Sequence, residues 1–208
     1  MAQGLNQRNE SDTVVAPDIA LDTAQTEPEL DPEIAARRDA ALAHVRKFGD
    51  PVLKAKARPV ERFDAALGEE IRWMAAIMGD GFGIGLAANQ VGTLHRLLVY
   101  RVLGDAPLAA LINPVIVWSS KESEFFEEGC LSLPLVHVDV ERPVDVAVTA
   151  QDEYGSPITV EASGLEARVI QHEMDHLNGI LILDRTTRDQ RRDAMKVLRE
   201  WQDRQRPA

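Results

Sequence analysis

An α+β fold is the expectation for this chain, and three observations carry it. Strand-like segments cluster between two helical segments and do not alternate with them, which argues against a doubly wound sheet. A proline interrupts one strand pattern where only an edge or a bulge tolerates it. A late helical stretch, His-Glu-Met-Asp-His at 172–176, places two histidines four residues apart on one face and adds a helix after the strands. With 208 residues, 45% hydrophobic and 27% charged, the chain can bury one core of ordinary globular type.

Residues 1–33 stand apart. Glu10, Asp12, Asp18, Asp22, Glu27, Glu29, Asp31 and Glu33 face a single Arg8, with few large apolar residues and no sustained period. That composition predicts a disordered acidic extension, and it is the opposite of an arginine-rich organelle transit peptide. The folded domain is expected over 34–208, with order setting in between 32 and 45, and glycine and proline punctuate an irregular segment at 47–53. Asp64 can cap a helix whose stripe is Leu67, Ile71, Met74 and Met78, ending in the glycines of 79–85. Strands are expected at 97–102 and at 110–118, the second interrupted by Asn113-Pro114, and 144–150 with 158–162 flank the turn signals of 152–157 as a hairpin. Ser163 with Glu166 has the spacing of a capping box, Leu165, Val169, His172 and His176 share a stripe, and Gly179 suits a helix stop. A last helix is expected over about 187–202.

Several function classes lose support at once. A net charge of −11 gives no general affinity for nucleic acid, the single Cys130 excludes an intramolecular disulfide, and no apolar run approaches the about 20 residues of a membrane span. A cytoplasmic setting without a membrane partner is the expectation.

The histidine helix carries chemistry if it holds a metal. Glu173 then lies beside the ion without ligating it, where a base for water belongs; the alternative is a buried helix with two hydrogen-bonded histidines. Two histidines leave a metal short of ligands, since catalytic sites use three protein ligands and an open position. Downstream, the position six beyond the second histidine is Ile182, and Asp184 is a weak candidate. Upstream, Cys130 offers a soft thiolate next to Gly129, or it is a small buried hydrophobe. The stretch 81–90 is too rich in glycine for helix; it is a structural turn, or backbone laid open for a ligand with the Gln90 carboxamide as an oxyanion donor.

Taken together and in order, Gly-Ile-Gly-Leu-Ala-Ala-Asn-Gln (83–90), Glu-Gly-Cys-Leu-Ser (128–132) and Gln-His-Glu-Met-Asp-His (171–176) resemble the three signature motifs of the bacterial peptide deformylases. The likeness runs from about Val45 to the last helix. It implies a metal-dependent hydrolase that releases formate from the N-formylmethionine of nascent peptides. It further implies that Cys130, His172 and His176 hold a ferrous ion, with zinc, nickel or cobalt as substitutes, and that Glu173 moves the proton of the attacking water to the departing amine. Gln90 and the Leu131 backbone N–H would hold the oxyanion. Ile84, Gly85 and Gly129 would pair with an extended substrate, and Val169 with His172 would line the methionine pocket. Glu128 with Arg142 resembles a buried ion pair of the family; a surface pair is the alternative. Leu135, where relatives often have glycine or glutamate, and Arg168, where many have an aliphatic residue, depart from the pattern and bear on pocket shape.

Two rival readings stand beside it, a metallopeptidase on the same helix motif and a catalytically silent ribosome-associated protein. From Asp184 onward the chain turns basic, with Arg185, Arg188, Arg191, Arg192, Lys196, Arg199, Arg204 and Arg206 against five acidic residues. This is either a solvated face around Ala194, Met195, Leu198 and Trp201, or a helix that steers a monomeric enzyme to the ribosome near the tunnel exit.

Overall fold

The computed structural model describes residues 30–102 and 106–206. Most of the acidic extension therefore lies outside the described residues. Helix α1 (Pro32–His44) begins inside the last residues of the 1–33 segment, with the Asp31 carboxylate accepting from Glu33 N at 2.9 Å. A 3-10 turn at Pro51–Lys54 follows in the irregular segment. Helix α2 (Ala65–Asp80) starts where the Asp64 side chain accepts from the N–H groups of Ala66 and Leu67, and its stripe of Leu67, Ile71, Met74 and Met78 is buried.

The main sheet is antiparallel and has the order β1-β2-β3-β6-β7, formed by β1 (Gly85–Ala87), β2 (Leu97–Tyr100), β3 (Ala109–Ser119), β6 (Asp145–Gln151) and β7 (Pro157–Ser163). Every residue of β2 is buried because both faces are covered: Leu97 and Val99 pack with α2, while Leu98 and Tyr100 pack with α3 (Gly164–Leu177). Asn113-Pro114 forms a bulge and not an edge, for β3 lies between β2 and β6 and its register shifts between Ile112 and Val115. Asn113 takes the left-handed conformation there (φ 53°), and its side chain bonds both Val60 N and Val60 O.

Three expectations need correction. The glycine-rich stretch is partly strand: β1 forms an edge of the sheet, and a 3-10 turn at Ala88–Val91 follows it. A second sheet, the hairpin of β4 (Ser123–Cys130) and β5 (Leu133–Pro143), has no counterpart in the sequence-based expectation. Its β5 alternates cleanly, with Val136, Val138 and Val140 buried against Leu198 of α4 (Arg188–Gln205) while His137, Asp139 and Glu141 face out. Finally, α3 begins after Ser163 without the capping box. The Ser163 side chain makes no cap bond, the Glu166 carboxylate accepts from Tyr100 OH at 2.9 Å instead, and Leu165 stays 48% exposed. Gly179 does end the helix, at φ 73°, and a Cβ there would stand 2.5 Å from Lys54 O.

Candidate active site

Helix α3 is buried along most of its length between the main sheet and the β4–β5 hairpin. Its inner face presents His172 and His176, with ring centroids 5.0 Å apart. Cys130 reaches them from the end of β4, where the register breaks after Gly129 and the chain turns into β5. The Cys130 Sγ and one nitrogen of each histidine all lie within 4.8 Å of one another, and Sγ is 3.2 Å from His176 Nε2. Ligands on a tetrahedral ion with thiolate and imidazole bonds stand about 3.3–3.7 Å apart, so small rotations close this set. One thiolate and two imidazoles, with a fourth position toward the cleft, are a donor set for zinc or ferrous iron.

The surroundings favour a cation at that point. His172 Nδ1 lies 2.9 Å from Glu128 Oε2, which turns its other nitrogen to the thiol, the carboxylate–histidine arrangement common behind metal ligands. Burial alone would lower the His172 pKa, but hydrogen bonds to Cys130 and Glu128 outweigh it and raise it well above the ordinary value. Burial pushes His176 the other way, well below its ordinary value, leaving a neutral ligand. Asn89 fixes the same turn of α3 by donating to His176 O.

Glu128 and Arg142 are a buried pair, not a surface one. Arg142 Nε and Nη2 meet the two Glu128 oxygens at 2.6 and 2.9 Å, and both side chains are about 5% exposed. Arg142 also donates to Asp175 at 2.8 Å, and Arg185 Nε reaches Asp175 at 3.0 Å. Burial raises the Glu128 pKa, yet His172 and Arg142 together hold it well below the carboxylate range. Arg168 is part of this network and not simply a change of pocket shape: it donates to Glu128 at 2.8 Å, to Val140 O and Glu124 O, and lies over Phe126 at 5.7 Å. Asp175, the second partner of Arg142, escaped sequence reasoning, although it sits inside the histidine motif; only the three-dimensional approach of β5 to α3 gives it a role.

Glu173 points to the same place. Burial pushes its pKa up to about 7, against His172 and Arg142, and its Oε2 is buried with no hydrogen-bond partner. Gly85 leaves room for it: a Cβ there would stand 2.5 Å from Glu173 Oε1 and 2.9 Å from Val169 Cγ1. The Gln90 carboxamide is oriented by Ala87 N–H, which donates to its Oε1 at 2.9 Å and leaves Nε2 3.6 Å from Cys130 Sγ and 3.2 Å from Ser132 Oγ. Leu131 lies in the turn after Cys130, its carbonyl accepting from Lys47 Nζ at 3.0 Å. Glu173, Gln90, Cys130, Leu131 and His172 line one cleft of about 830 Å³ with Ile84, Gly129 and Val169 on its walls.

Two sequence-based expectations shift here. Asp184 is no ligand; it pairs with Lys54 at 2.6 Å and accepts from Leu181 N–H. The Ile84 carbonyl is engaged by Arg101 N–H at 2.9 Å, so any pairing of a substrate with Ile84 falls to its N–H. Leu135 takes the left-handed conformation (φ 62°), which glycine adopts without strain, and is 64% exposed at the rim.

Comparison with known proteins agrees with this geometry. The model of the polypeptide deformylase family matches residues 42–192. A peptide deformylase of Parafrankia sp. is 44% identical over 170 residues, covering 81% of this chain and 92% of that protein, and one of Thermotoga neapolitana is 50% identical over 144 residues, covering 69% and 87%. Among solved structures, the Legionella pneumophila peptide deformylase superposes with a TM-score of 0.74 at 37% identity, covering 78% of this chain and 98% of that one. The Synechococcus elongatus peptide deformylase, solved in complex with actinonin, gives 0.71 at 44% identity, covering 74% and 84%. With its α+β architecture built around the histidine helix and a family match across most of its length, this chain belongs to the polypeptide deformylase family.

Proposed function

We propose residue roles for the family's reaction, the hydrolytic removal of the N-formyl group from the formylmethionine of nascent polypeptides, for which this chain is a metal-dependent enzyme. The observation that carries the assignment is the convergence of Cys130, His172 and His176 within 4.8 Å, beside a buried carboxylate on the same helix. These three residues hold the ion, which we assign as ferrous, with zinc, nickel or cobalt as substitutes. When bound, the ion acts as a Lewis acid that acidifies water and polarises the formyl group.

Glu173 takes the proton of the attacking water and delivers it to the leaving amine. Without the ion, burial holds the Glu173 pKa up to about 7, and a bound dication would draw it lower, toward the carboxylate form that accepts a proton from water. Gln90 Nε2 and the Leu131 N–H hold the oxygen that gains negative charge. Strand β1, an edge of the main sheet, and Gly129 of β4 offer backbone on either side of the cleft, so the peptide docks as an extra strand through Gly85, Ile84 N–H and Gly129, with its methionine against Val169 and His172. The compartment we assign is the cytoplasm and the working form a monomer; among the described residues no helix is long and apolar enough to cross a membrane.

Formate release from a formyl-Met peptide by anaerobically prepared protein, with elemental analysis of the same sample, tests the scheme. Cys130→Ala should lose both metal and activity. A Cys130→Ala protein that kept both would favour the metallopeptidase reading, in which the third ligand lies elsewhere.

We also propose that α4 contacts ribosomal RNA. Ala194 and Leu198 bury one face of α4 in the core with β5, so removing the chain after Asp184 would open that core, and charge substitution is the cleaner test. Replacing exposed Arg192, Lys196 and Arg199 with serine should leave turnover of short formyl-peptides intact and weaken ribosome co-sedimentation at low salt. Unchanged co-sedimentation would leave α4 as packing alone.

A further inference from the structure

Helix α1 forms a wall of the catalytic cleft, through Arg38 and Leu42. Arg38 stands out on it. Its guanidinium lies 5.5 Å from the centre of the Phe82 ring, and its Nε is buried with no hydrogen-bond partner. Its neighbour Arg37 is paired with Asp80, whereas Arg38 has no carboxylate within ion-pair distance among the described residues. Lys47 is a second cation on the same wall; it donates to Leu131 O and also has no carboxylate partner among the described residues. Neither cation sits in an ion pair among the described residues, although Asp39 beside Arg38 also lines the cleft. On the facing hairpin, the acidic Glu127 has His137 3.6 Å away.

The path of a bound peptide leads to this cation. Its reacting end must lie at Gly85, beside Glu173. Beyond Gly85 in one direction, Leu86 and Ala87 are fully buried, so the peptide cannot continue there. In the other direction Ile84 and Phe82 are 43% and 55% exposed along the cleft. Three residues of extended chain span about 10 Å, which brings the third and fourth residues of the peptide beside Phe82 and the guanidinium above it.

Building on the proposed function, we propose that Arg38 is a specificity-determining residue that favours substrates with a carboxylate side chain at the third and fourth positions and disfavours those with ammonium groups there. The ring of Phe82 holds the guanidinium over the peptide, and Lys47 adds to the positive field from behind Leu131. Because the contact is remote from the reacting bond, it acts on the ground state and transition state alike and should appear in KM more than in kcat.

The test uses the metal-loaded full chain and three peptides, formyl-Met-Ala followed by two glutamates, two alanines or two lysines. The wild type should rank them glutamate, alanine, lysine, with kcat/KM differing about five- to tenfold between the extremes, the size expected of partly exposed charge contacts. Arg38→Gln should shrink that ratio toward one. Arg38→Glu should reverse it, a gain for lysine peptides that a damaged fold cannot produce. An equal glutamate-to-lysine ratio in wild type and both variants would overturn the proposal. Absence of formate from all three peptides would instead overturn the functional reading on which it rests.

Discussion

Helices α3 and α4 are both rich in charge, and the contrast between them shows how location decides what a charge does. In α3, Arg168, Glu173, Asp175 and His176 are buried, and partners from β4, β5 and the segment after α3 meet two of them: Glu128 and Arg142 hold Arg168 and Asp175 directly. In α4 only Ala194 and Leu198 are buried, and its ion pairs, such as Arg192 with Asp189, are exposed on both sides. A buried charge that loses its partner must bear its full desolvation cost, whereas an exposed one returns to water. The polar network behind α3 is therefore fixed structure that orients His172, and the charges of α4 are free to meet something outside the molecule.

The largest effect that would break this contrast is on stability. Arg142→Ala leaves Glu128 and Asp175 buried without their shared partner, and should cost about 3–5 kcal/mol in chemical denaturation. It should also weaken metal binding by roughly 10–100-fold, because His172 loses the fixed Glu128 behind it. A loss under 1 kcal/mol would place the network with surface pairs.

A second effect concerns pH in the metal-free protein. The folded pKa of Glu128 is depressed, so its contribution is present above the ordinary carboxylate pKa and fades only in acid. The folded pKa of Glu173 is raised to about 7, so its contribution is present below the unfolded value near 4.5 and is lost as pH rises through 7. Glu173→Gln should therefore gain stability relative to wild type between pH 5 and 8, by up to about 3 kcal/mol. A flat difference across that range would mean that Glu173 titrates normally.

Where burial and hydrophobicity coincide, as in α2, the β6–β7 hairpin and the apolar stripe of α4, period and punctuation located the elements. In β4 they are opposed. Phe125 and Phe126 are 63% and 58% exposed while Glu128 is buried, so the pattern carries no apolar face to read, and the hairpin was missed. The candidate ligands His172 and His176 were legible as a pair because their helical spacing is local. Cys130 was only a candidate by itself, since the break in register that turns it toward α3 is a tertiary feature. The capping box failed for a similar reason, as Glu166 finds Tyr100 across the sheet–helix interface.

The smallest expected effect sharpens the other side of the comparison. Removing the Arg192–Asp189 pair by Arg192→Ala should leave the thermal midpoint unchanged within error, since exposed pairs contribute little. A clear drop would show that α4 depends on its charges for folding.

The central claim is that Glu173 moves protons beside the metal without holding it. Elemental analysis and formate release measured together on Glu173→Ala test it most directly. One metal ion per chain is expected, as in the wild type, with turnover reduced about 10²–10⁴-fold. Loss of the metal along with the activity would contradict it, because Glu173 would then be a ligand.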